Sequence, residues 1–147
     1  VRDGRDVVSS LLDKPWLRPE QTEADDAGVA YGAYARFWVE PERHTEFEET
    51  SDARRAAWTW RRYVTAVRSA EAPVHELRYE EVAVAPVDAA EKLAAYLDAP
   101  MEPLAAALAY AHASSVGRYR RDLDEAQLAD VEAEAGALLR ELGYPEA

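Results

Sequence analysis

Val1-Arg2-Asp3-Gly4-Arg5-Asp6-Val7-Val8-Ser9-Ser10 is the stretch on which the reading of this chain turns. Val7, Val8, Leu11 and Leu12 recur at i, i+1, i+4 and i+5, which predicts a short buried helix over residues 4–13, entered through a turn at Asp3-Gly4. A strand ending at Val1 would make this a strand–turn–helix unit. The helix N-terminus of such a unit presents free N–H groups and the positive end of the dipole, both suited to an anion. Arg2 precedes the helix and Arg5 lies in its first turn. A guanidinium fork bonds phosphate oxygens in pairs, and a serine hydroxyl adds a further donor. Ser10 falls about 60° from Val7 on a helical wheel, at the edge of the apolar patch. The alternative is that Arg2 and Arg5 pair with Asp3 and Asp6 on a solvated turn.

Working outward, Pro15 and Pro19 end this helix and bracket a turn carrying Trp16. Residues 27–38 read as a helix weakened by Gly28 and Gly32. A longer helix is expected over 52–70, with Ser51 as N-cap, Asp52 favoured by the dipole, and Ala57, Trp60, Val64 and Val67 on its buried face. The alternation in residues 74–79 predicts a strand, and a lone strand needs neighbours for its backbone groups. Helices follow over 88–97 and 104–113. The loop Ser114-Ser115-Val116-Gly117-Arg118-Tyr119-Arg120-Arg121 is basic. The last helix opens on an Asp124/Gln127 capping box, buries Leu128, Val131, Ala135, Leu138 and Leu142, and stops at Gly143 and Pro145.

Composition bounds what such a chain does. It has 147 residues, a net charge of −12 and 48% hydrophobic residues, the balance of a globular domain. With 17 basic against 29 acidic residues it is unsuited to wrapping nucleic acid, although a local basic pocket is compatible with that total. It lacks cysteine, which removes disulfides, thiolate metal sites and thiol nucleophiles. No apolar run spans a bilayer and no secretory signal pattern opens the chain, so a cytoplasmic protein is expected.

Three elements then line up. Arg2 and Ser10 stand eight positions apart in the first stretch. Arg78-Tyr79-Glu80-Glu81-Val82 comes before Pro86, with Tyr79 placed to stack on a base or to sit in the core. Arg118-Tyr119 forms a basic–aromatic pair in the late loop. In this order the motifs resemble the C-terminal half of sulfotransferases that use 3′-phosphoadenosine 5′-phosphosulfate (PAPS), most nearly bacterial members and the tyrosylprotein sulfotransferase branch. The resemblance covers nearly the whole chain, most loosely over residues 14–50.

The resemblance implies an α/β fold of P-loop type, here a mostly helical C-terminal portion of one domain spanning 1–147. It implies that Arg2, Ser10 and Arg118 bind the cofactor's 3′-phosphate and that Tyr79 contacts the adenine end, with PAPS as cofactor and a hydroxyl-bearing acceptor as partner. The family's phosphate loop and its acceptor-activating residue precede the first motif, and no matching residues occur here. Lys14 and Lys92 lie outside any glycine-rich turn. His44, His75 and His112 all follow the motif, His44 alone being a candidate for acceptor contact. No catalytic residue or metal ligand is therefore assigned, and the 147 residues alone are expected to be inactive. Residues 16–50 are expected to form the acceptor side. Two other readings stay open: part of a P-loop kinase or nucleotide phosphotransferase, and a non-enzymatic acidic helical interaction domain.

Overall fold

The computed structural model describes residues 1–20 and 38–145. The helix expected over residues 27–38 lies almost entirely outside them, as does about half of the expected acceptor side. Eight α-helices occur among the described residues: α1 (Gly4–Leu11), α2 (His44–Glu49), α3 (Asp52–Arg68), α4 (Tyr79–Val84), α5 (Pro86–Leu97), α6 (Met101–Leu108), α7 (Tyr119–Asp122) and α8 (Glu125–Glu141).

The long helices begin where their caps dictate. The Ser51 hydroxyl accepts the Arg54 N–H at 3.1 Å, satisfying a first-turn amide of α3. At α8, Asp124 and Gln127 bond each other's backbone N–H groups reciprocally. Gly143 ends α8 with φ +74°, a conformation glycine adopts without Cβ strain.

α1, α3 and α8 enclose the main core. Val8, Ala53, Ala56, Ala57, Trp60, Val131, Ala135, Leu139 and Leu142 are buried there with Tyr119 and Tyr144. Alanines on α3 let the helices approach closely, and the closest approach is made by glycine. A Cβ on Gly4 would lie 2.8 Å from the Trp60 ring, inside van der Waals contact. The buried face of α3 is confined to its first half. Val67, expected in the core, is 53% exposed. A second cluster gathers Trp38, Val39, Phe47 and Trp58, with Trp16 against it. Trp58 is fully buried, and its indole N–H donates to Glu40 at 2.7 Å.

The expected strand is not formed: no strand occurs among the described residues. Residues 73–78 run outside any helix, and Tyr79, expected at a strand end, opens α4 instead. The physical reason is the want of a neighbour, since an extended segment gains its ladder bonds only across a pair. One rung is nevertheless present. The Val1 amino group donates to the Leu77 carbonyl, and the Tyr79 N–H donates to the Val1 carbonyl at 2.7 Å. Those two bonds have the pattern of a parallel ladder centred on Val1 and Arg78. Other boundaries shift as well: α5 starts two residues early, at Pro86, and α6 covers Met101–Leu108, about a turn earlier than expected. No helix among the described residues is long and apolar enough to cross a membrane.

Candidate nucleotide-phosphate site

The start of α1 is closed by its own side chains. Asp3 caps the helix by accepting the Arg5 N–H at 3.0 Å, and its two oxygens take the Arg5 guanidinium at 2.9 and 2.7 Å. Arg5 is 3% exposed, donates to the Pro145 carbonyl at 2.7 Å and lies 4.3 Å from the Tyr119 ring centroid. The open helix end expected to receive an anion is therefore occupied by a carboxylate, and Arg5 is a core ion pair rather than a phosphate ligand. An N-cap aspartate satisfies the same amides and dipole that an anion would.

Arg2 is different. Its Nη2 donates to the Ser115 carbonyl at 2.6 Å and lies 3.9 Å from an Asp6 oxygen. Its guanidinium carbon sits 4.7 Å from the Tyr79 ring centroid, a cation–π distance. Arg2 Nε is buried with no acceptor, so the guanidinium keeps an unused donor. The Tyr79 hydroxyl accepts the His112 N–H at 3.0 Å and faces the His112 carbonyl at 3.3 Å. The first two sequence motifs, 76 positions apart in chain numbering between Asp3 and Tyr79, thus meet at one place. Arg2 and Tyr79 line a groove of about 580 Å³ whose other walls, Val1, Leu77, Val82 and Leu108 among them, are apolar.

The late loop is fastened to α1 by Asp6. This fully buried carboxylate accepts the Gly117 N–H at 2.7 Å and the Tyr119 N–H at 3.0 Å. Gly117 carries φ +72°, which turns its amide toward Asp6 at no Cβ cost. Arg118, between those two amides, donates its Nε to Asp122 at 2.7 Å, and the Ser9 hydroxyl donates to the same oxygen at 2.9 Å. The bonds from Arg118 and Ser9 hold the Asp122 carboxyl down at about 2.

Ser10 lies at the margin. It is exposed, and its hydroxyl donates back to its own helix, to the Val7 carbonyl at 2.9 Å and the Asp6 carbonyl at 3.2 Å. Arg2, Asp6 and Ser10 follow one i, i+4 stripe, and the Arg2 guanidinium already reaches the level of Asp6. One further turn, roughly 6 Å of rise, separates that level from Ser10. Of the two serines, Ser9 makes the tertiary bond. His44 opens α2, whose Glu46 pairs with Arg54 at 2.5 Å.

The sequence reading missed three groups. Asp6, Glu80 and Glu134 are carboxylates whose partners lie far away in the chain. Glu134, with 3% of its side chain exposed, receives Arg43 at 3.0 Å, Arg54 at 3.3 Å and Arg61 at 2.8 Å. Arg43 also lies 3.6 Å from the Trp58 ring centroid. The bond from Glu46 leads the causes that raise the Arg43 pKa, with Glu134 reinforcing it against the cost of burial. A signal existed: Glu134 directly precedes Ala135 on the buried stripe of α8, where an unpaired acid is untenable.

No protein-family model, curated protein or solved structure matches this chain. The site is read from its own geometry.

Proposed function

We propose that this chain is the nucleotide-anchoring, C-terminal part of a PAPS-dependent sulfotransferase of P-loop-type α/β fold, acting in the cytoplasm on a hydroxyl-bearing acceptor. The observation that carries the reading is the stacking of Arg2 on Tyr79 beside the loop that Asp6 fastens to α1. The single parallel rung at Val1 and Arg78 is compatible with a sheet of that fold.

The residues fit the cofactor's 3′-phosphate end. Arg2 retains a buried donor without an acceptor, and the carboxylates around it are engaged: Asp6 by two amides, Asp3 by Arg5. A phosphate there would meet the Arg2 cation, with Asp6 and Glu80 as neighbouring carboxylates that are each already bonded. Arg2 would bind the phosphate, Arg118 would approach it from the loop, Ser10 would turn its hydroxyl from α1 toward it, and Tyr79 would support the adenine. When bound, the cofactor supplies the activated sulfuryl group. In-line transfer also needs stabilisation of the leaving phosphate and a base for the acceptor. Nothing in this sequence matches those parts, so its role is anchoring.

The ion pairs of Arg118 with Asp122 and of Arg5 with Asp3, among described residues that are mostly helical and form no strand, favour the second reading, a helical interaction domain. Adenosine 3′,5′-bisphosphate separates the two. Thermal stabilisation by that nucleotide, reduced by Arg2→Ala and Ser10→Ala, is expected. A cooperatively folded protein that neither binds it by calorimetry nor gains thermal stability overturns the sulfotransferase reading.

A further inference from the structure

The Arg2–Asp3 peptide is held from both sides. Its carbonyl, on Arg2, accepts the Trp60 indole N–H at 3.2 Å. Its N–H, on Asp3, donates to Glu80 Oε1 at 2.8 Å. The other oxygen of Glu80 accepts the Tyr144 hydroxyl at 3.2 Å. Burial, and then the Glu80 carboxylate, push the Tyr144 phenol well above its ordinary pKa, so it remains a donor. Arg78 completes the clamp, with its guanidinium 5.0 Å from the Tyr144 ring centroid and a bond to the Leu142 carbonyl. Glu80 therefore joins the first motif, the second motif and the segment after α8.

A carboxylate so close to Arg2 is a poor choice for an anion site on charge alone, because it adds repulsion. Its geometry explains its presence. A peptide plane fixed at both ends fixes the direction in which the Arg2 side chain leaves the backbone, and a long side chain magnifies any error at its root. Ionised acceptors bind a backbone N–H more strongly than neutral ones. Recognition sites need their ligating groups held to about half an ångström by supporting bonds.

We propose that Glu80 is a positioning residue for phosphate recognition, which aims Arg2 by fixing the Arg2–Asp3 peptide and is itself held by Tyr144. This rests on the nucleotide reading above. The test compares affinities for adenosine 3′,5′-bisphosphate and adenosine 5′-monophosphate, whose ratio reports the 3′-phosphate contact alone. Glu80→Ala is expected to lower that ratio about tenfold with the monophosphate affinity kept within about twofold, the size of one lost charge-assisted bond. Glu80→Gln, which keeps an oxygen for the Asp3 N–H, should retain most of the ratio, and Tyr144→Phe should lower it less than Glu80→Ala. A general loss of structure would weaken both nucleotides together and would count against the proposal. An unchanged ratio in cooperatively melting Glu80→Ala protein overturns the proposal while leaving the functional reading intact. A wild-type ratio of one overturns the functional reading itself, and this inference with it.

Discussion

Asp6 accepts the backbone N–H of Gly117 at 2.7 Å, a bond that spans 111 positions and lies beside the bond from Tyr119. The first helix and the late basic loop are therefore one structural unit, joined by a carboxylate with no solvent exposure. Replacing Asp6 by alanine leaves two amides without an acceptor, and each is expected to cost about 1–3 kcal/mol. Urea unfolding should show the loss. Hydrogen exchange should accelerate at Gly117 and Tyr119 before it does so in α8, and uniform acceleration would refute a local role for Asp6.

Arg2 and Arg5 share a turn but not a task. Arg5→Ala strips the partner from buried Asp3 and is expected to destabilise the fold by roughly 3–5 kcal/mol. Arg2→Ala should leave the melting temperature of the free protein within a few degrees, and abolish most of the stabilisation by adenosine 3′,5′-bisphosphate. Equal effects of both variants on free-protein stability would contradict this division.

Gly4 is required by what it touches, since its neighbour across the helix contact is the Trp60 ring. Gly4→Ala forces α1 away from α3, an overpacking expected to cost about 1–3 kcal/mol despite alanine's better helix propensity. Combining it with Trp60→Leu should cost less than the sum of the two single changes. Strict additivity would show that the close approach is unimportant.

Around Glu134 three arginines share one buried acid, and each keeps a second carboxylate at the rim. Glu134→Ala removes the buried acid shared by three guanidinium groups, which keep Glu46 or Glu40, and should cost about 1–3 kcal/mol. Arg54→Ala keeps Arg43 and Arg61 on the acid, and for this half-exposed arginine about 1 kcal/mol or less is expected. Chemical denaturation of the two variants distinguishes a shared hub from three independent pairs.

Asp122 titrates at about 2 in the folded protein against an ordinary 3.8, owing to its bonds from Arg118 and Ser9. A depressed carboxylate stabilises the fold above its unfolded value, and that contribution fades as pH falls through the folded one. The link between Ser9 and the Arg118 loop should accordingly be complete above about pH 4 and lost near pH 2. A carboxyl-carbon NMR titration with its midpoint near the ordinary value would show that the pairing is absent in solution.

Local signals in the sequence sufficed for the ends of α3 and α8, whereas the short helices α2, α4 and α7 carry no comparable cap and were not expected. Ser51, the Asp124/Gln127 pair and Gly143 act within a turn of themselves, so their geometry follows from backbone amides that any helix leaves open. Arg2 and Tyr79 were candidates through motif order and the resemblance rather than through such signals, and the structure brings those two together. Ser10 and Arg118 were legible only as residue types, because their orientation depends on Asp122, Ser9 and the helix carbonyls.

What the sequence determined alone is the helical register, the caps, the acidic surface and the set of arginines available to an anion. Tertiary structure decided how several of those arginines are engaged. Asp3 binds Arg5, Glu134 gathers three others, and Arg2 keeps a buried nitrogen with no acceptor. It also decided the strand: residues 74–79 have the pattern for one, yet among the described residues a single rung with Val1 is all that pairs them. Periodicity reports which face of a segment is apolar. Pairing of charges and strands depends on partners brought close by the fold, and separation along the chain carries no trace of that proximity.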